Sequence, residues 1–402
     1  MAELRSKKIR IAAITSVATA ALVGGFTALP AQAAPAKGTV LAAGSPTAVK
    51  DSYIVTLKKS AGFKASSSKG KALVNEYGGT VKKSFGSALN GYTATLSAEE
   101  AARLAADPAV ATVEQNQTVH LTDTTQTSAP WGLDRIDQAA LPLSTTYTYP
   151  DTGGAGVTAF VIDTGVRVTH SQIAGRATNG YDAIEGDSVA QDGNGHGTHV
   201  ATTIAGSTYG VAKKANVVAV RVLNNSGSGT TADVIDGLNW VISHHSGPSV
   251  ANMSLSGVAS ASLDTAVQTA IASGVTFAVA GGNNGQTATS YSPARVPEAI
   301  TVGATNSSDA KPSWSNYGTA LDIFAPGDAI LAGYNTSDTA TATLSGTSMA
   351  APHVAGAAAI YLASHTTATP AQVATALVNG ATSNVVTSAG TGSPNKLLKI
   401  VP

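Results

Sequence analysis

The sequence predicts an α/β protein: a parallel sheet with helices on both faces, preceded by a smaller α+β unit. Two observations predict the larger part. From Trp131 onward, short β-branched apolar runs fall at 157–162, 217–222, 250–253, 275–279 and 300–302. They alternate with stretches of helical character at 197–205, 232–243, 262–273, 348–364 and 370–379. Continuously apolar strands joined by helices describe a sheet buried on both sides. A third observation predicts the smaller part. Residues 53–57 alternate as a strand, 64–77 suit a helix, and 80–85 and 91–96 read as strands. Ser97-Ala98-Glu99-Glu100 opens a helix over 101–106 with a capping box, Pro108 follows, and 110–113 closes as a strand. The order βαββαβ is the ferredoxin-like arrangement.

Composition bounds the function. With 402 residues, 43% hydrophobic and 12% charged, the chain can bury a large core. Formal net charge is zero, but residues 1–123 carry 14 Lys+Arg against 8 Asp+Glu, and the remainder 10 against 16. Opposite signs suit a basic leading segment docking on an acidic partner within the chain, and give no support to nucleic-acid binding. The absence of cysteine excludes disulfides, thiol chemistry and thiolate metal sites. Arg5, Lys7, Lys8 and Arg10 precede an apolar run over 11–29 and the A-x-A signal Ala31-Gln32-Ala33. This pattern is a secretory signal removed after about Ala33, with an uncleaved membrane anchor as the alternative. No later run is long and apolar enough to span a membrane, so no stable membrane association is expected. Residues 34–50 are small and Ala/Gly/Pro-rich, as in a linker.

Four side chains carry the candidate chemistry. Ser348 stands in Gly346-Thr347-Ser348-Met349-Ala350-Ala351-Pro352, at the head of an alanine-rich helix. A serine hydroxyl needs a base, a group to orient that base, and donors for the oxyanion it creates. His196 stands among glycines in Asp192-Gly193-Asn194-Gly195-His196-Gly197-Thr198-His199, Asp163 in Val161-Ile162-Asp163-Thr164-Gly165, and Asn283 in Gly281-Gly282-Asn283-Asn284. Asp163 and Asn283 follow strands, where sites collect in parallel sheets. Each has a bland reading as well: helix cap for Ser348, strand-end carboxylate for Asp163, turn residue for Asn283. His196 and His199 also have H-x-x-H spacing, but no metalloprotease glutamate accompanies them.

The motifs V-I-D-T-G, H-G-T-H-V-A and G-T-S-M-A-A-P-H-V-A-G, with the chain order Asp, His, Ser, resemble the subtilisin-like serine proteases. The segment from Trp131 to Asp137, Asn252-Met253-Ser254-Leu255 and Tyr291-Ser292-Pro293-Ala294 resemble the proteinase K branch and its aqualysin-like secreted bacterial members. The resemblance implies a subtilisin-like catalytic domain over 124–402 behind an inhibitor-type propeptide over 34–123, folded at about 52–115. The propeptide would be a folding aid and intramolecular inhibitor. Self-cleavage is expected near Asp123–Thr124, with Leu121 as second choice. In the triad Ser348 would be nucleophile, His196 base and Asp163 its orienting carboxylate, with Asn283 and the Ser348 N–H binding the oxyanion. His199 would be structural. Peptide or protein substrates would lie along Gly227, Ser228 and Gly229 on one side and Ser254, Leu255 and Ser256 on the other, with Ala280, Gly281 and Gly282 as the opposite S1 wall. By the same resemblance Ser256 stands where glycine is usual and would narrow S1, while Gly281 stands where alanine is usual and would enlarge the other wall; the implied preference is for mainly apolar P1 residues short of the bulkiest aromatics. Structural Ca2+ is implied at Asp322 with the carbonyls of Pro297 and Ala299. Weaker candidates are Asp134, Asp137 and Gln138, and Asp182 with Asp187. The expected product is a secreted, monomeric endopeptidase. The rival reading is an inactive relative kept as a binding or inhibitory protein. An α/β-hydrolase esterase fails, since the Gly-x-Ser-x-Gly motif and its residue order are missing.

Overall fold

The computed structural model describes residues 36–45, 47–118 and 123–401; the expected signal at 1–33 lies outside them. The chain divides into two compact units between His120 and Leu121.

The first unit contains strand β1 (Ala48–Leu57), helix α1 (Ser68–Glu76), β2 (Thr80–Phe85), β3 (Gly91–Thr95), α2 (Ala98–Ala105) and β4 (Val110–Gln117). The sheet order β4-β1-β3-β2 is antiparallel and ferredoxin-like, with the short strand Val40–Leu41 added in parallel beside β4. The capping box forms: Ser97 Oγ accepts the Glu100 N–H while a Glu100 carboxylate oxygen accepts the Ser97 N–H. Helix α1 starts later than the pattern suggests, because the Ser67 side chain caps it on the Gly70 N–H. Alternate residues Tyr53, Val55 and Leu57 meet Leu73, Val74 and Leu104 in one core.

The second unit begins with an antiparallel strand pair, Asp123–Thr127 against Thr146–Pro150. Between these strands lies α3 (Trp131–Asp137), and after them β5 (Thr158–Asp163), β6 (Ala177–Asp182), α4 (His196–Ala205), β7 (Asn216–Arg221), α5 (Thr231–His244), β8 (Ser249–Met253), α6 (Ala261–Ala272) and β9 (Thr276–Ala280). Then come β10 (Ile300–Thr305), β11 (Ile323–Pro326), the hairpin β12 (Ile330–Gly333) and β13 (Thr341–Leu344), α7 (Thr347–Ser364), α8 (Pro370–Gly380), β14 (Thr382–Ser383) and β15 (Lys396–Leu397). The main sheet runs β14-β15-β11-β10-β9-β8-β5-β7-β6, parallel except for β14 with β15. Alternation along β5 explains the layers. Ala159 and Val161 pack with α4, α7 and α8, whereas Phe160 and Ile162 pack with α5 and α6. Gly356 lets α7 approach closely: a β-carbon there would sit 2.5 Å from the Val211 side chain.

Every foreseen strand and helix of this unit forms, within a few residues of its foreseen ends. Edge strand β6 was not foreseen. Its sequence ATNGYD is polar and does not alternate, as suits a strand that, among the described residues, has no further strand on one side. The bond foreseen for self-cleavage, Asp123–Thr124, lies inside a paired strand of the second unit, where Asp123 faces Pro150 and Thr124 faces Tyr149.

Strand β5 has β7 on one side and β8 on the other, and the chain crosses between those sides through α5. That crossing makes the carboxyl ends of β5, β7 and β8 the switch point of the sheet. Asp163 is the last residue of β5. Among the described residues no helix is long and apolar enough to cross a membrane.

Candidate active site

Asp163 is fully buried, and its Oδ1 lies 2.7 Å from His196 Nδ1. The same oxygen accepts the Thr164 N–H, and the strand carbonyl behind it accepts the Val222 N–H, so the carboxylate sits on a fixed frame. Among the described residues Asp163 Oδ2 is buried without a hydrogen-bond partner. His196 is the first residue of α4, with its side chain about a quarter exposed at 26%. Burial pulls its pKa down, but the charge and hydrogen bond of Asp163 and the charge of Asp192 outweigh it, so the imidazole titrates above its ordinary value.

Asp192 supports this geometry, and the motif reading gave it no role. Its Oδ1 accepts Thr164 Oγ1, the Asn194 N–H and the Gly195 N–H; its Oδ2 accepts the Thr198 N–H and Oγ1. One buried carboxylate thus fixes the loop before His196 and occupies the positive end of α4. A carboxylate four residues ahead of the helix start was the available signal.

Ser348 is half-buried in the first turn of α7. Its hydroxyl donates to the Ser254 carbonyl at 3.2 Å rather than to His196. Free enzymes commonly hold such bonds loosely until substrate binds. Two recesses join the groups. One, of about 540 Å³, is lined by His196, Ser226 to Gly229 and Ser254 to Ser256. The other, of about 380 Å³, is lined by Ser348, Asn283, Ala280, Gly282 and the same 254–256 segment.

The Asn283 amide is oriented by a second residue whose role the motifs did not reveal. Asn283 Oδ1 accepts both the Thr347 N–H and Thr347 Oγ1, at 2.8 and 2.9 Å. Thr347 Oγ1 in turn accepts the Gly282 N–H at 3.0 Å. With its oxygen engaged, the amide leaves Nδ2 as a donor. A β-carbon at Gly346 would lie 3.4 Å from Asn283 Nδ2 and 3.6 Å from the Ser348 nitrogen, so both donors border one small space.

Several expectations are corrected. Gly281 does not widen the substrate recess: a β-carbon there would meet Leu321 at 2.8 Å and the Val302 carbonyl at 2.9 Å, in the core. Asp134 is fully buried and committed to a loop, where its oxygens accept Ser144 N–H and Oγ and the Thr145 N–H. The Gln138 amide donates to the carbonyls of Ala140 and Pro142. Asp137 accepts the Thr148 N–H and, among the described residues, keeps one buried oxygen unpartnered, too little for a cation site by itself. Asp182 bonds the turn N–H groups of Ile184 and Glu185 and pairs with Arg221 at 2.6 Å, while Asp187 accepts the Val189 N–H. Among the described residues no group of three or more His, Cys, Asp or Glu is placed to hold a metal. His199 Nε2 faces the carbonyls of Ile330 and Ala342, consistent with a structural role, and burial pushes its pKa down to about 4.

Comparison with known proteins agrees with this geometry. Residues 154–397 match the Subtilase family, and residues 52–122 match Peptidase inhibitor I9. The chain is 56% identical over 321 residues to an extracellular serine proteinase of Thermus sp. (strain Rt41A), covering 80% of this chain and 78% of that one. It is 46% identical over 373 residues to alkaline serine exoprotease A of Vibrio alginolyticus, covering 90% and 69%. A crystal structure of a cold adapted subtilisin-like serine proteinase superposes with a TM-score of 0.67 at 52% identity, covering 69% of this chain and 100% of that one. A buried carboxylate on an imidazole, a serine at a helix start and an oriented amide thus occur in a chain that belongs to the subtilase family of serine endopeptidases, with an inhibitor-type segment ahead of the peptidase unit.

Proposed function

We propose that the protein is a secreted zymogen whose second unit hydrolyses peptide bonds by acyl transfer. Ser348 is the nucleophile. His196 takes its proton and later gives it to the leaving amine, and Asp163 fixes the tautomer and stabilises the imidazolium. Asn283 Nδ2 and the Ser348 N–H hold the oxyanion. The contact carrying this reading is the 2.7 Å bond from buried Asp163 to His196, at the switch point of the sheet.

Extended substrates pair with the backbone of Gly227, Ser228 and Gly229 and of Ser254, Leu255 and Ser256, and insert P1 beside Ala280 and Gly282. Ser256 supports a preference for P1 residues smaller than the bulkiest aromatics, since its Oγ lies 3.5 Å from where a Gly282 β-carbon would be. The residues from 34 to about 121 act as propeptide. Cleavage near Leu121 leaves the strand at Asp123–Thr127 whole, which favours it over Asp123–Thr124.

Calcium is the ion the family implies. Asp322, with the Pro297 and Ala299 carbonyls, supplies the hard oxygen donors it takes. Burial raises the Asp322 pKa to about 6, partly opposed by one N–H from Thr301, and a cation beside it would favour its charged form. Bound there, calcium would act on stability, not on the chemical step.

A serine-directed phosphonyl fluoride tests the function. Stoichiometric labelling of the wild-type chain, with none in Ser348→Ala, and trimming of the secreted wild type but not of the mutant, are the expected results. An unlabelled wild type would end the peptidase reading.

A further inference from the structure

The nucleophile's own carbonyl lacks its helical donor. In an α-helix the carbonyl of residue i accepts the N–H of residue i+4. For Ser348 that residue is Pro352, inside α7, and proline has no N–H. The Ser254 hydroxyl occupies the vacant position, donating to the Ser348 carbonyl at 2.7 Å. Ser254 Oγ is itself held by Asn252 Nδ2 at 2.8 Å, and both side chains are buried. Asn252 lies in β8, where it is paired with Val161 of β5 on one side and Ala278 of β9 on the other. The Ser254 carbonyl, meanwhile, accepts the Ser348 hydroxyl. Residue 254 therefore grips residue 348 at two atoms.

We infer that Ser254, backed by Asn252, is a positioning residue for the nucleophile, its hydroxyl replacing the N–H that Pro352 cannot supply. The inference rests on the proposed role of Ser348. Attack requires Ser348 Oγ to swing to His196 while the Ser348 N–H stays aimed at the oxyanion. A first turn with a missing helical bond is free to rotate its peptide planes, which misaims both atoms. The clamp stops that rotation, and leaves the hydroxyl itself on a longer bond that can be exchanged. Were the hydroxyl only satisfying a buried carbonyl, its loss would lower stability and leave turnover untouched.

The test uses the full-length chain. Ser254→Ala is expected to lower kcat at least tenfold with KM within threefold, and to slow phosphonyl-fluoride labelling by the same factor as kcat. Ser254→Thr, which keeps the hydroxyl, is expected to stay within threefold of wild type in kcat. In a Pro352→Ala background the new N–H can reach the Ser348 carbonyl, so adding Ser254→Ala should cost less than threefold. Should Ser254→Ala alone fail to fold, that pair of Pro352→Ala chains carries the test. The inference is overturned if Ser254→Ala keeps kcat within twofold of wild type, or costs the same factor in both backgrounds. A wild type that is not labelled at all would instead defeat the assignment of Ser348.

Discussion

Replacing Asp192 with asparagine perturbs the base through two separable effects. Both carboxylate oxygens are engaged, Oδ1 by three donors and Oδ2 by two. The amide can keep its oxygen toward the three and must then turn its NH2 toward the Thr198 N–H and hydroxyl. Two bonds to a charged acceptor are lost, at about 1.5–3 kcal/mol each. Together that is about 3–6 kcal/mol, and because the Thr198 hydroxyl can rotate and accept, the net loss belongs near the bottom of the summed range, about 3 kcal/mol. For a unit of this size that lowers Tm by about 6–12 °C. The second effect is electrostatic. The Asp192 charge helps raise the His196 pKa, so its removal lowers it. In the proposed mechanism neutral imidazole is the working base, so activity is present above the folded-state pKa and lost as pH falls through it. The acid limb of kcat/KM should therefore move to lower pH in Asp192→Asn, while the maximum falls because the imidazole is less well aimed. Tm is best measured in a Ser348→Ala background, where autolysis is absent, and the pH profile in the active chain. An acid limb that stays in place or moves to higher pH would refute the electrostatic argument. An unchanged Tm would refute the hydrogen-bond argument.

Three other outcomes are expected. Thr347→Val removes the hydroxyl that fixes the Asn283 oxygen, and should cost roughly tenfold in kcat with little change in KM, about the worth of one hydrogen bond; a KM effect alone would mean that the amide needs no such help. Asp309→Ala strands the fully buried Arg135 guanidinium, now held by two bonds of 2.7 and 3.0 Å, and should cost about 3 kcal/mol, the low end for a broken buried pair because Arg135 keeps carbonyl partners at Gln138 and Ala139; denaturant titration of the Ser348→Ala protein checks it. A chelator should lower Tm, added calcium should restore it, and Asp322→Asn should make Tm indifferent to both; equal chelator sensitivity in that mutant would place the ion elsewhere.

The layers and the candidate site residues were legible before any packing was known. Apolar runs such as 157–162 and the alanine-rich 348–364 are local patterns, and burial on two faces leaves them little choice of structure. The strand-end positions of Asp163 and Asn283 were legible for the same reason. Edge strand β6 was not, because a strand with one free side needs no apolar pattern. Polar side chains were decided only by the tertiary structure. A carboxylate in a sequence does not state which donors will reach it: Asp134 went to a loop, Asp182 to Arg221, and Asp192 to the helix of His196. Gly281 turned toward Leu321 rather than the cleft, a matter of which face of the chain is solvent. Likewise Pro352 announces a missing N–H wherever it is read, but only the fold brings Ser254 to the carbonyl left waiting. Hydrogen bonds are settled by competition among groups distant in the chain, and that competition exists only once the chain has packed.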